Sequence, residues 1–284
     1  MKNKIRSVGI AGAGTMGAGI AQVCALAGYR VVLFDINSTM LDTARQSIDA
    51  SFQKLVSSGK LVQSAYENAR DAISFSSVLP DMKADLLLEA IVEKPEPKIE
   101  LFKKLIDING PGSIYATNTS SIPITQIAAQ LPLPENVVGI HFFNPAQIMK
   151  LVEVIKGAKT RPETVDLARQ FVSTLGKEPV IAADSPGFIV NRIARLYYVE
   201  SLKIMEEGVA DYTVIDKIME SSGFRMGPFR LMDLIGVDTN YSVTESQYKL
   251  FNFEPRFRPS RIQKQKVDAG LHGKKTGEGF YKYE

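Results

Sequence analysis

Three glycines within six residues, Gly12-Ala13-Gly14-Thr15-Met16-Gly17, follow a short β-branched run, Arg6-Ser7-Val8-Gly9-Ile10-Ala11. They open a helical pattern that runs from Met16 to Ala27 and is stopped by Gly28. Alone, such a spacing is weak; between a strand and a helix it marks a dinucleotide-binding βαβ unit. Gly12 permits the tight turn, Gly14 lets the backbone approach a pyrophosphate, and Gly17 lets the helix pack closely on the sheet. The unpaired amides of the helix start, around Thr15 and Met16, then face the phosphates. A second strand, Arg30 to Phe34, ends at Asp35, 18 residues beyond Gly17. A carboxylate there accepts from the ribose hydroxyls and repels a 2′-phosphate, which favours NAD over NADP. No Arg or Lys follows in Ile36-Asn37-Ser38 to offset that repulsion.

The remaining pattern extends this start into an α/β fold, a Rossmann-type doubly wound sheet. Residues 38 to 72 read as two helices broken at Ser58-Gly59, a helical-hairpin insertion that is long for a plain crossover. Further strands are expected over Ala84 to Ala90, Ile114 to Thr117, Asn136 to Phe142, Lys150 to Ile155 and Pro179 to Ala182. Helices are expected from Glu96 to Ile108, Ile124 to Leu131 and Pro162 to Leu175. Asp184-Ser185-Pro186-Gly187 marks a boundary, after which nearly everything reads as helical: Phe188 to Glu207, Tyr212 to Ser222, one long pattern from Phe229 to Phe251, and Ser260 to Ala269. The expected organisation is a nucleotide domain over residues 1–183 and a smaller all-α C-terminal domain over residues 184–284. A chain of 284 residues with 45% hydrophobic content can bury the core that two domains need.

Candidate chemistry centres on His141, one of two histidines, with Glu153 twelve positions later. The two β-rich runs that carry them flank an Asn-Pro turn signal and read as an antiparallel hairpin. With the turn near Gln147, His141 stands opposite Glu153, and a directly opposed pair has Cβ atoms about 5 Å apart. A carboxylate can then hold one imidazole nitrogen and leave the other to move a proton, a general-base arrangement. Thr117-Asn118-Thr119-Ser120-Ser121 supplies more small polar side chains than one helix cap needs, at the end of a strand. Glu93 falls at the carboxyl end of another strand, with Lys98 one turn into the next helix. Open α/β sheets bind ligands at this edge. Asn191, a poor helix-interior residue, lies in the first turns of the first C-terminal helix.

Other classes are disfavoured. Net charge is +3, and residues 184 to 284 hold 15 Lys+Arg against 14 Asp+Glu, not the excess expected of a nucleic-acid binder. The seven basic side chains between 256 and 275 read as a solvated helix face. No apolar run reaches the roughly 18 residues that span a bilayer, so no membrane partner is expected. The nucleotide signature begins at Val8, which argues against a leader peptide and for a cytoplasmic protein. Cys24, the single cysteine, lies among small and apolar residues and reads as buried, so neither a disulfide framework nor a cysteine metal site is expected.

Over its whole length the chain resembles the L-3-hydroxyacyl-CoA dehydrogenases, NAD-linked enzymes of fatty-acid and butyrate metabolism. The resemblance rests on the Gly12 to Gly17 turn, Glu89-Ala90-Ile91-Val92-Glu93, Asn118-Thr119-Ser120-Ser121, His141-Phe142-Phe143-Asn144-Pro145, and Asp184 through Arg192. It also rests on Gly227-Pro228-Phe229 with Asp233, and on the tail Gly273 through Tyr281. It implies that His141 is the catalytic base with Glu153 as its partner, and that Ser120 and Asn191 hold the substrate. It places Glu93, Lys98, Asn144 and Lys275 with Asp35 around NAD, and Ser51 against CoA. The family's lysine for the CoA phosphates has no fixed counterpart here; Lys60 is one choice and Lys54 the other. Implied partners are a short-chain acyl-CoA and a second copy, bound through the helical domain. No metal is required. Two rivals from other classes stay open: an NAD-dependent dehydrogenase of a free hydroxy or sugar acid, and a non-catalytic NAD(H)-binding protein.

Overall fold

The computed structural model describes residues 4–284. Its contacts divide the chain into two compact units, one ending at Ser185 and the other beginning at Pro186. The first is built on an eight-stranded sheet. In chain order the strands are β1 (Ser7–Ala11), β2 (Arg30–Phe34), β3 (Ile73–Ser76), β4 (Leu86–Glu89), β5 (Ile114–Thr117), β6 (Val137–Phe142), β7 (Leu151–Lys156) and β8 (Glu178–Ala183). The helices between them are α1 (Thr15–Leu26), α2 (Ser38–Ser57), α3 (Gln63–Asp71), α4 (Pro95–Asn109), α5 (Ile124–Ala128) and α6 (Pro162–Thr174). Spatial order is β3-β2-β1-β4-β5-β6-β7-β8, parallel throughout except at β6 and β7. The chain therefore starts in the middle of the sheet, winds to one edge, and returns to build the other half. This is the doubly wound arrangement, whose crevice lies beyond the carboxyl ends of β1 and β4.

Central strands are apolar on both faces because helices cover both. Val8, Ile10, Leu33, Leu86, Leu88, Val138 and Ile140 are buried in one core cluster, and the alternate residues Leu87, Tyr115 and Val137 are buried as well. Cys24 lies in that core, and burial pushes its thiol pKa up. β3 is not apparent from the sequence pattern. Its residues, Ile-Ser-Phe-Ser, carry one buried side chain on an edge strand, too short a run for a period to show. Asp184 closes this unit: its carboxylate accepts from the amides of Ile124 (2.8 Å) and Thr125 (2.7 Å) at the start of α5. The unit accordingly runs two residues past the boundary read from the sequence.

The second unit is helical: α7 (Val190–Glu206), α8 (Tyr212–Ser221), α9 (Pro228–Ile235), α10 (Val237–Leu250) and α11 (Arg261–Asp268). The single long helix expected between Phe229 and Phe251 is two helices. Gly236 breaks it at φ +103°, a backbone conformation that helix geometry excludes. Around Phe229, Met232 and Phe280 these helices enclose their own core. Asp233 ties in the tail, accepting from the amides of Phe280 and Tyr281 (both 2.9 Å) and from the Tyr283 hydroxyl (3.0 Å). Among the described residues no helix is long and apolar enough to cross a membrane.

The glycine turn leaves no room for a side chain at Gly17. A Cβ on Gly17 would lie 1.7 Å from the Gly12 carbonyl oxygen, so α1 could not keep its closeness to β1. Gly17→Ala is expected to destabilise the fold by about 1–3 kcal/mol, the range for forced overpacking. Urea denaturation checks this, and an unchanged midpoint would contradict it.

Candidate active site

Three sheet ends and a hairpin bring the candidate residues together. In the antiparallel register of β6 and β7, His141 faces Glu153 directly. Both are buried, and the His141 Nδ1 lies 2.8 Å from Glu153 Oε2. A carboxylate only accepts, so Nδ1 carries the proton and Nε2 is left with its lone pair. Nε2 lies 3.1 Å from the Ser120 hydroxyl. Phe143 packs against the imidazole, with ring centroids 4.6 Å apart. The result is a carboxylate–imidazole–hydroxyl line, the geometry of an oriented general base.

Ser120 is placed by its neighbours. The Glu93 Oε1 accepts from the Thr119 hydroxyl (2.6 Å) and from the amides of Ser120 (2.9 Å) and Ser121 (3.2 Å). Asn118 Oδ1 accepts from the Phe142 amide at 2.9 Å, which fastens the same loop to the histidine strand. Lys98 is not a surface charge. It is 1% exposed, and its ammonium reaches Glu89 (2.6 Å) and Glu93 (3.1 Å). Glu89 is fully buried and also accepts from the Thr117 hydroxyl (2.8 Å) and the Ile91 amide (2.7 Å). Sequence spacing alone does not single out Glu89. An acid ending an otherwise apolar strand, with a lysine one helical turn away, was the available signal.

At the other end of the crevice the residues present fit a dinucleotide. Gly12, at φ +102°, leaves no room for a Cβ, which would lie 2.5 Å from the Ala90 carbonyl oxygen. Gly14 faces open space, and it caps α1 without a side-chain hydrogen bond, so the amides beyond it can meet an anion. Asp35 accepts from the amides of Ala13 (2.8 Å) and Asn37 (2.9 Å), which orients its carboxylate at the mouth of the turn. A cleft of about 530 Å³ runs from there between Ile36, Met40, Ile91 and Leu101, an apolar slot suited to a flat base. Glu100 and Lys104 of α4 also line it.

A second cleft, of about 690 Å³, lies over the helical insertion. Ser51, Lys54 and Lys60 all line it, together with Gln22, Gln147 and Lys177, and among the described residues no Asp or Glu does. Gln22 donates to the Ser51 hydroxyl at 2.8 Å. Asn144 is exposed just beyond β6 and follows His141 by three residues. Asn191 and Lys275 belong to the helical unit. Asn191 is the second residue of α7, and Lys275 pairs with Asp238 at 2.6 Å.

A doubly wound sheet with this turn, this acid after β2 and this histidine pair defines the class of NAD-binding dehydrogenases. Comparison with known proteins narrows it. Residues 7–185 match the profile of the 3-hydroxyacyl-CoA dehydrogenase NAD binding domain, and residues 187–283 match that of the C-terminal domain. The chain is 44% identical to 3-hydroxyadipyl-CoA dehydrogenase of Escherichia coli over 99% of its own length, but spans only 60% of that relative. It is 43% identical to a probable 3-hydroxybutyryl-CoA dehydrogenase of Deinococcus radiodurans, over 97% of this chain and 99% of that one. The crystal structure of (S)-3-hydroxybutyryl-CoA dehydrogenase from Ralstonia eutropha superposes with a TM-score of 0.95 at 38% identity, covering 99% of this chain and 100% of that one. The chain belongs to the 3-hydroxyacyl-CoA dehydrogenase family, NAD-dependent oxidoreductases of 3-hydroxyacyl-CoA.

Burial works to raise the Glu93 carboxyl pKa, but Lys98, the Thr119 hydroxyl and the Ser120 amide outweigh it and hold the group below its ordinary value. A carboxyl lowered on folding adds stability above its unfolded pKa, and that contribution is lost as the pH falls through the lower folded value. The stability deficit of Glu93→Gln is therefore expected to be largest near neutral pH and to narrow below about pH 4. Urea midpoints across that range check it; a deficit that widens on acidification would contradict the sign.

Proposed function

We propose that this chain oxidises the C3 hydroxyl of a short-chain L-3-hydroxyacyl-CoA to the ketone, and catalyses the reverse reduction, with His141 as the proton-transfer group. The observation that carries this reading is the Glu153–His141–Ser120 line at the carboxyl edge of the sheet. NAD, when bound, supplies the hydride acceptor at the reacting carbon. His141 Nε2 takes the hydroxyl proton as the C–H bond breaks, and Glu153 stabilises the imidazolium that forms. Ser120 holds the substrate oxygen against Nε2, and Asn191 is assigned to the substrate by family resemblance. Asp35 receives the ribose hydroxyls, and Asn144 and Lys275 are assigned to the cofactor. Lys98, sealed behind Glu93, serves the cofactor edge by fixing that carboxylate rather than by touching a ligand.

Ser51, Lys54 and Lys60 form the cleft for the CoA arm. Three lysines with no acid among the lining residues suit a polyanion and exceed what one small carboxylate needs. The helical unit exposes Ile193 (67%), Leu196 (43%) and Ile218 (56%), apolar side chains that a second copy in a homodimer would cover.

His141→Gln keeps the size of the side chain and removes its basicity. It is expected to lower turnover by about 10²–10⁴-fold with NADH affinity near normal, in steady-state kinetics. Turnover within threefold of wild type would exclude His141 as the base. Binding energy from a remote handle also positions the reacting carbon, so a truncated substrate loses turnover as well as affinity. Acetoacetyl-CoA is therefore expected to be reduced far more efficiently than acetoacetate. Charge reversal of Lys54 and Lys60 together is expected to raise KM for the CoA ester and to leave that for NADH little changed. Equal kcat/KM for the two substrates would transfer the assignment to a free hydroxy acid.

A further inference from the structure

Residues 143–150, which join β6 to β7, are held from outside the hairpin by a lysine. Lys177 precedes β8, is 9% exposed, and donates through Nζ to the carbonyl oxygens of Ala146 (2.7 Å) and Met149 (2.8 Å). Two neutral carbonyls are a poor match for a buried charge, which is ordinarily paired with an opposite one. No carboxylate of the described residues lies within ion-pairing distance of it. Burial accordingly depresses its pKa. An ammonium carries three N–H donors, and the two carbonyls take two. Lys177 is among the residues that line the cleft of Ser51, Lys54 and Lys60, whose described lining holds no acid, and Gln147 and Ile148 of the loop line it too. The loop is also packed against α1, where a Cβ on Gly19 would lie 2.8 Å from Gln147 Oε1 and 3.2 Å from Ala146 Cβ. A purely structural brace would need donors but no charge.

We propose that Lys177 is a substrate-contacting and positioning residue: its third N–H donates to an oxygen of the CoA arm while the other two hold the loop, so that filling the cleft steadies the hairpin carrying His141 and Glu153. This rests on the CoA reading given above. The acceptor is either a phosphate oxygen or an amide carbonyl of the pantetheine, and both supply the partial or full negative charge that the site lacks. A filled cleft thereby restrains the loop ends from which β6 and β7 run to the catalytic pair, and from which Asn144 projects.

The test combines calorimetric titration with CoA and with pantetheine, hydrogen–deuterium exchange of residues 143–150, and KM for NADH. Wild type is expected to bind CoA and to show slower loop exchange when it does. Lys177→Met should weaken CoA by about tenfold, as expected for a lost charge-assisted hydrogen bond. The same variant should abolish the slowing while KM for NADH stays within about twofold, a change too small to reflect a lost contact of that kind. Lys177→Arg, which keeps charge and donors, should restore part of both effects, and Lys177→Gln carries the comparison should the methionine variant fail to fold. Weaker binding of CoA alone identifies a phosphate contact, and weaker binding of pantetheine as well identifies the amide. Unchanged CoA affinity in the Met and Gln variants, or loop exchange in wild type indifferent to bound CoA, overturns the proposal. A wild type that binds no CoA at all overturns the substrate reading itself, and does so before any variant is made.

Discussion

The ammonium of Lys98 between Glu89 and Glu93 is the interaction on which the catalytic edge depends. An isolated charge in that position would be strongly unfavourable; two carboxylates, one fully buried, make it tolerable, and their remaining lone pairs are taken by Thr117, the Ile91 amide and the loop from Thr119 to Ser121. Because Glu89 ends β4, paired to Ala11 on one side and Thr117 on the other, the pair locks the ends of three adjacent strands. Removing one partner of such a network costs about 3–5 kcal/mol, more than either charge contributes on the surface. The network's product is geometric: Glu93 fixes the loop, the loop fixes the Ser120 hydroxyl, and the hydroxyl meets His141 Nε2.

Histidine and glutamate are brought together by a different device, the one antiparallel pairing in an otherwise parallel sheet. Directly opposed residues of antiparallel strands share a face, whereas a one-residue slip would send one of the two to the opposite side. Apolar Ile140, Phe142, Val152 and Val154, all buried in the core, oppose such a slip. The same hydrophobic burial that stabilises the sheet therefore sets the distance between the imidazole and its carboxylate.

This division explains what could be read from the sequence. The glycine turn, Asp35 and the His141–Glu153 pairing follow from local spacing and from strand period, which are properties of a linear chain. β3 escaped because an edge strand with one buried side chain has no period to detect, and the break at Gly236 escaped because apolar residues continue in helical spacing across it. Lys98 was visible as a residue, but its burial depends on Glu89, whose need for a partner becomes evident only once β4 is known to be covered on both faces. Lys104 and Lys177 were invisible in principle. Lys104 lines its cleft beside Glu100 and Leu101, and Lys177 beside Thr174, Leu175 and Gly176, but nothing local distinguishes either from a surface lysine.

On the proposed reading, the two clefts must separate two ligands that both contain an adenosine diphosphate. Shape alone separates them poorly, since the base, ribose and pyrophosphate are common to both. Charge separates them well. The ribose of NAD presents hydroxyls, which the Asp35 carboxylate accepts from, whereas the ribose of CoA bears a phosphate that the same carboxylate repels. At 4 Å the interaction between two unit charges is about 1 kcal/mol in bulk water and about 4 kcal/mol at the effective dielectric of a protein surface, so one acid suffices for a tenfold preference or more. The cleft over the helical insertion has the opposite sign, with lysines and no acid, and rewards the phosphate that the first cleft rejects. Substituting Asp35 should therefore affect more than the choice between NAD and NADP, because it also removes the group that keeps the substrate's own nucleotide out of the cofactor's place.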